Sequence, residues 1–119
     1  MTQEQKELLL KDLCCRLPYG VWIERKLKSC KFGAKCMLNA LDIYAIGRGQ
    51  YDFYKPYLFP LSSMTEEQKE EWKSLLIREA FSTSDNVFTP QDFYCKYHLD
   101  YRGLIPMGLA IDATGLNIY

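Results

Sequence analysis

Cys95 and His98 are the two residues of this chain whose types and spacing most resemble a catalytic pair, and His98 is its single histidine. They are three positions apart, so both side chains would share one face of a helix that continues through His98. A catalytic thiol and imidazole usually come from separate elements, and a third group orients the base. A packed cysteine and a histidine at a helix carboxyl end explain both residues better. We therefore predict no catalytic residue and no enzymatic activity.

The five cysteines lack the spacing of a metal site. Cys30 and Cys36 stand further apart than the two cysteines of a zinc knuckle, and the adjacent Cys14 and Cys15 supply no suitable second pair. We expect no metal and no cofactor, and we interpret the cysteines as small hydrophobic residues. Their number is odd, and the first residues are polar rather than those of a signal peptide. These features predict free thiols and a cytoplasmic location. No apolar run approaches the length of a membrane span, so we expect no membrane partner.

A basic run is the first candidate binding site. The net charge of the chain is zero, and no acidic residue interrupts this run. It consists of Arg25, Lys26, Lys28, Lys31 and Lys35. With Arg48 and the interleaved aromatic residues Trp22, Phe32, Tyr51 and Tyr54, it has the composition of a surface for single-stranded nucleic acid. Zero net charge argues against strong sequence-independent binding, which depends on neutralising phosphates. A solvated strand face or loop is the preferred interpretation, and nucleic acid is the alternative partner.

The segment Asp100–Gly103 is the second candidate. Tyr101 and Arg102 are included as binding residues because a guanidinium can present its planar fork to a carboxylate or phosphate of a partner. The structural alternative is preferred. In it, Asp100 caps the next turn, Tyr101 packs, and Arg102 pairs with an acidic residue of the same chain.

Three helices are predicted from their N-terminal signals. Thr2 and Thr65 each begin a capping box that ends on a glutamine three residues later, and Thr89 precedes a proline and an acidic residue. The expected helices cover residues 2–16, 66 to about 80, and 89 to about 98.

The segment between the first two helices is predicted to be mainly β-structure. Residues 21–27 alternate, with Val21, Ile23 and Leu27 on one side and Trp22, Glu24 and Lys26 on the other. We expect two or three strands within residues 34–59, including 43–46, with residues 47–50 as a hairpin loop. A short helix at 34–41 is the alternative. Pro56 and Pro60 are expected to bound the extended segment rather than lie within a strand.

Together these elements predict an α+β fold in one domain, residues 1–119. A small antiparallel sheet over residues 20–59, of which a partial barrel is one form, packs with the N-terminal helix and two helices of the second half.

Three segments also resemble a family. Residues 13–21 (LCCRLPYGV), 55–72 (KPYLFPLSSMTEEQKEEW) and 98–113 (HLDYRGLIPMGLAIDA) resemble small hypothetical proteins of gut Bacteroidales and their prophage-like regions. Residues 22–50 show no such likeness, and the ending ATGLNIY departs from the acidic, proline-containing ending of that family. The resemblance implies a bacterial or phage cytoplasmic protein. It transfers no catalytic or binding residue, because the family carries no established activity.

These features predict a non-enzymatic interaction or accessory protein of phage or mobile-element origin, with a protein as its partner. An inhibitor of a host system is one form of such a protein. The alternative is a nucleic-acid-binding module that uses the basic run at 25–35.

Overall fold

The computed structural model describes residues 2–81 and 89–119, with side chains described except at 79–81. It confirms the α+β fold. Two short 3-10 turns, Leu17–Tyr19 and Leu61–Ser63, precede β1 and α3. The helices and strands, in chain order, are α1 (Gln3–Arg16), β1 (Trp22–Leu27), β2 (Ala34–Met37), α2 (Ala40–Gly47), β3 (Tyr51–Leu58), α3 (Glu66–Phe81), α4 (Pro90–Lys96) and β4 (Ile111–Asp112).

The four strands form one open, mixed sheet in the order β2-β1-β3-β4. The pairs β1–β2 and β1–β3 are antiparallel, as predicted for residues 20–59. β4 lies outside that range and pairs with β3 in the parallel direction. The sheet is open and does not close into a barrel, because the described strands end at β2 and β4 without pairing with each other.

The three predicted helix starts are confirmed by reciprocal capping hydrogen bonds. The Thr65 hydroxyl accepts from the Gln68 amide at 3.1 Å, and the Gln68 side chain accepts from the Thr65 amide at 3.0 Å. Equivalent boxes at Thr2 and Thr89 begin α1 and α4. α4 ends at Lys96, earlier than expected. His98 adopts a φ of 58°, which cannot continue a right-handed helix.

Residues 34–50 differ from the prediction. β2 and β3 are strands, but residues 43–47 lie in α2, and residues 48–50 connect α2 to β3 instead of forming a hairpin. A further capping box causes this difference: the Asn39 side chain accepts from the Asp42 amide, and the Asp42 carboxylate accepts from the Asn39 amide. The alternative helix at 34–41 is also wrong, since that segment begins as β2.

Pro56 lies within β3, contrary to the expectation that it would bound the strand. The hydrogen-bonding alternation of the sheet explains why this is tolerated. Leu38 donates to the Val21 carbonyl, so alternate residues of β1, including Ile23, direct their backbone groups toward β2. Pro56 stands opposite Ile23 and therefore points its nitrogen away from β1, so no β1–β3 hydrogen bond is lost.

The hydrophobic core lies on one face of the sheet, which we call the inner face. Leu9 and Leu13 of α1 pack there with Ile23 and Leu58, and α2 adds Ile46. A second, smaller cluster joins α3 and α4. Its buried members are Leu75, Phe93 and Leu99. Within the described residues, no helix combines the length and apolar character required to cross a membrane.

Candidate interaction surface

The opposite face of the sheet carries aromatic and charged side chains, and we call it the open face. Strand alternation and the cross-strand register place its members on one side of β1, β2 and β3. They are Trp22, Glu24, Lys26, Lys35, Met37, Phe53, Lys55 and Tyr57. The predicted two-sided pattern of β1 is therefore confirmed, with Ile23 fully buried and Trp22 half-buried on the other side.

The aromatic residues of the open face are not part of the hydrophobic core. In the described part of the chain, Trp22, Phe53 and Tyr57 belong to neither core cluster. Each is half-buried, whereas Tyr54, their inner-face neighbour, is 8 % exposed. Three half-buried aromatic rings outside both core clusters supply apolar area for contact with another molecule, and Trp22 and Tyr57 add a polar group each.

Polar contacts arrange the charged groups between these rings. The Lys35 ammonium lies 5.3 Å from the centre of the Trp22 ring, a cation–π contact. The Tyr57 hydroxyl donates to the Glu24 carboxylate at 2.7 Å. Partial burial and this hydrogen bond raise the pKa of Tyr57 to about 12. Lys26 forms an ion pair with Asp52, which removes one cation from the candidate site.

The residues of the basic run do not share one surface. Arg25 faces inward, where its guanidinium donates to the Tyr51 hydroxyl at 2.6 Å and lies 3.3 Å from the Asp42 carboxylate. A contact with the Cys36 sulfur raises the pKa of Arg25. Arg25 is therefore committed to the inner face and joins β1, β3 and α2.

The remaining three cations lie at the β1–β2 hairpin. Lys28 and Lys31 are exposed in the turn between the strands, and Lys35 is exposed on β2. Among the described residues none of the three forms an ion pair. These three lysines are the part of the predicted run whose charge is available to a partner.

Tyr101 and Arg102 lie in a different part of the molecule. Arg102 donates to the Asp12 carboxylate at 3.1 Å, and its guanidinium covers the Tyr101 ring at 4.7 Å. Tyr101 stacks on Tyr94 of α4, with ring centres 4.9 Å apart. The Asp100 carboxylate accepts from the backbone amides of residues 104 and 105. These contacts match the structural alternative for the segment, and they do not bring it together with the basic run.

A buried ion pair behind Arg102 was missed by the sequence reasoning. Asp12 and Arg16 of α1 are both completely buried and are joined at 2.7 Å. Arg16 also donates to the Leu99 carbonyl at 2.6 Å. The signal was available, because Asp12 and Arg16 are one helical turn apart beside the buried Leu13.

Cys95 is buried in α4, whereas His98 lies beyond the end of that helix. α4 ends between them, and the His98 ring stacks on Tyr119 at 3.6 Å. Burial and the nearby positive charge of Arg16 lower the pKa of His98 to about 4. Burial raises the pKa of the Cys95 thiol to about 11, so the thiolate is scarce at neutral pH. The described residues contain no cluster of three His, Cys, Asp or Glu side chains able to hold a metal.

The aromatic residues of β3 are divided between the two faces, which differs from the prediction. Tyr51 and Tyr54 are buried on the inner face, whereas Phe53 and Tyr57, which were not singled out, lie on the open face. The missed signal was the alternation over residues 53–58, which the presence of Pro56 concealed. Tyr51 lies beyond a register shift and does not follow that alternation.

Comparisons with protein families, with curated proteins and with solved structures found no match to this chain. The resemblance to Bacteroidales and prophage proteins therefore stays a prediction.

Proposed function

We propose that this chain is a non-enzymatic interaction protein that binds a protein partner through the open face. The observation that carries the proposal is the set of three half-buried aromatic rings, Trp22, Phe53 and Tyr57, on a sheet face outside both core clusters. Aromatic side chains with a polar rim are typical of protein interfaces. The family resemblance adds a bacterial or phage setting, in which an accessory factor or an inhibitor of a host system is the form we favour.

The first experiment compares capture by two matched variants. Trp22→Thr/Phe53→Thr/Tyr57→Thr removes the rings of the open face and keeps residues suited to a strand. Leu76→Gln/Ile77→Gln removes two exposed apolar side chains of α3 and serves as the control. Each protein is immobilised on a resin and incubated with a bacterial lysate. The proteins that the resin retains are quantified by mass spectrometry.

We expect a specific protein to be retained by the wild type and by the α3 control but lost from the open-face variant. Circular dichroism must show that both variants are folded. Identical capture profiles for all three proteins would contradict the use of the open face.

Nucleic acid is the second candidate partner, and one observation favours it. The open face brings aromatic rings and Lys35 together on a sheet, as single-strand-binding surfaces do. Against it, Arg25 and Lys26 are paired with acidic residues, and the Glu24 carboxylate lies in the middle of the face. Protein therefore remains the preferred partner.

Titration with single-stranded DNA at low salt distinguishes the two candidates. We expect no binding at tens of micromolar protein, a concentration at which nonspecific binders are already engaged. Micromolar binding that falls steeply with salt, and that Lys28→Gln/Lys31→Gln/Lys35→Gln abolishes, would instead establish the nucleic-acid function.

A further inference from the structure

β2 is an edge strand with one uncovered side. It pairs with β1 alone, and the sheet order places no described strand beyond it. Ala34, Lys35 and Met37 are exposed. An exposed edge is able to pair with an extended segment of another chain.

The backbone groups available on this edge follow from one hydrogen bond. Leu38 donates to the Val21 carbonyl at 2.9 Å and extends the register in which Cys36 is opposite Ile23. In an antiparallel pair, alternate residues direct both backbone groups to the neighbouring strand. Leu38 and Cys36 therefore face β1, and Lys35 and Met37 present their N–H and C=O groups outward. No hydrogen bond from another described residue satisfies these four groups.

Side chains beside the edge supply charge and apolar surface. Lys28, Lys31 and Lys35 follow one another along the hairpin and have no acidic partner among the described residues. Phe32 is 84 % exposed and Met37 is 42 % exposed. A segment that pairs with β2 would therefore meet positive charge together with two apolar contacts.

We propose that the free edge of β2 binds an acidic, extended segment of the partner protein as an added strand. This inference rests on the proposed function and specifies its partner. Outward backbone groups of Lys35 and Met37 supply the pairing, since main-chain hydrogen bonds provide the affinity in strand addition. Acidic side chains on the open-face side of the added strand lie near Lys35 and select the segment by charge.

The same charges disfavour a second copy of this chain as the occupant. Antiparallel pairing of two β2 edges would bring two lysine-rich strips together, and like charges on paired strands are destabilising. Lysines on edge strands commonly prevent such self-association. An acidic strand turns the repulsion into attraction.

The experiment uses synthetic peptides on the intact protein. The probe is a heptapeptide of alternating glutamate and valine, and its controls are the lysine–valine counterpart and the acidic peptide N-methylated at alternate backbone amides. Binding is measured by calorimetry, and hydrogen exchange reports on the Lys35 and Met37 amides. We expect a Kd below about 1 mM for the acidic peptide and no such binding of the two control peptides. Both amides should become protected.

A protein variant tests the charge selection. We expect the acidic peptide to bind about tenfold more weakly to Lys28→Gln/Lys31→Gln/Lys35→Gln, because each of the three exposed charges contributes modestly to binding. Lys69→Gln/Lys73→Gln on α3, which removes lysines distant in sequence, is the matched control and should bind the peptide as the wild type does.

Several outcomes would overturn the edge proposal: no peptide binding at 1 mM or below, undiminished binding of the N-methylated peptide, or no protection of the two amides. A dimer of the wild-type protein in sedimentation that protects the same amides would assign the edge to a second copy. Protection by single-stranded DNA would assign it to nucleic acid. The lysate capture with the open-face variant decides the proposed function separately, since it does not depend on the peptide.

Discussion

The two faces of the sheet use aromatic and charged side chains in opposite ways. On the inner face, Arg25, Tyr51 and Asp42 form a connected group in which Asp42 is 2 % exposed. On the open face, Tyr57 donates a hydrogen bond to Glu24 in a half-buried setting. This bond and the bond from Tyr51 to Asp42 are both 2.7 Å long. Water can replace a lost partner on the open face but not on the inner face. The comparison therefore separates residues that hold the fold together from residues that remain free for a partner.

A second group of charged side chains lies at α1. It consists of the buried Asp12 and Arg16 and the partly buried Arg102. One buried carboxylate lies beside two guanidinium groups, so each cation depends on the same anion. Buried ion pairs contribute little net stability when intact, but breaking one leaves a costly unpaired charge. We therefore expect the free energy of unfolding to depend more strongly on Asp12 than on any charged residue of the open face.

Replacing Asp12 is expected to have the largest effect. Asp12→Asn leaves the buried Arg16 without its anion and should lower the free energy of unfolding by about 3–5 kcal/mol. Glu24→Gln on the open face is the matched control and should change it by less than about 1 kcal/mol. Urea denaturation measures both. Equal losses for the two variants would mean that the two faces do not differ.

Acid should weaken the fold through His98. Its folded pKa of about 4 lies below the ordinary value of 6.5, so the unfolded chain binds the proton more readily. The stabilisation from neutral His98 is complete above pH 6.5 and is lost as the pH falls toward 4. A loss of about 2 kcal/mol between pH 7 and 4.5 is expected.

His98→Asn provides the comparison, since asparagine tolerates the positive φ at this position and does not titrate. Its unfolding free energy should fall less steeply over the same pH interval than that of the wild type. Parallel pH profiles for the two proteins would show that His98 is not the group responsible.

Two tyrosine variants compare the faces directly. Tyr51→Phe removes the hydroxyl between Arg25 and the buried Asp42 and should cost about 1–2 kcal/mol. Tyr57→Phe removes the hydroxyl that donates to Glu24 at the solvent boundary and should cost less than about 1 kcal/mol. Thermal and urea unfolding of both variants under one buffer condition test the order. A larger loss from Tyr57→Phe would reverse the assignment of the faces.

Local patterns predicted the parts of the fold that depend on neighbouring residues. The Thr65 capping box and the alternation along β1 each involve residues a few positions apart, and both appear in the structure. α2 was missed because residues 43–46 resemble a strand, while the asparagine–aspartate cap at Asn39 and packing against α1 favour a helix. The β3–β4 pair joins residues distant in sequence, and no local pattern specifies such a pairing.

The candidate site was only partly predictable for the same reason. Alternation alone places Arg25 on the side of Ile23, but its partner Asp42 lies in a helix that was not predicted. Arg25 was therefore grouped with the exposed lysines by charge. Alternation places Phe53 and Tyr57 on one side of β3, but only the register between β1 and β3 joins that side to the open face of β1.

The smallest expected effect is that of replacing Lys31, and Arg25 of the same basic run is its comparison. Lys31 is exposed in the hairpin turn, so Lys31→Gln should change the free energy of unfolding by no more than about 0.5 kcal/mol. Arg25→Gln should cost roughly 2 kcal/mol, because the buried Asp42 loses a charged partner. Urea denaturation of the two variants, which lose the same charge six positions apart, measures the difference. If Lys31→Gln destabilised the fold as much as Arg25→Gln does, the hairpin lysines would be structural, and they would no longer be free to select an acidic strand.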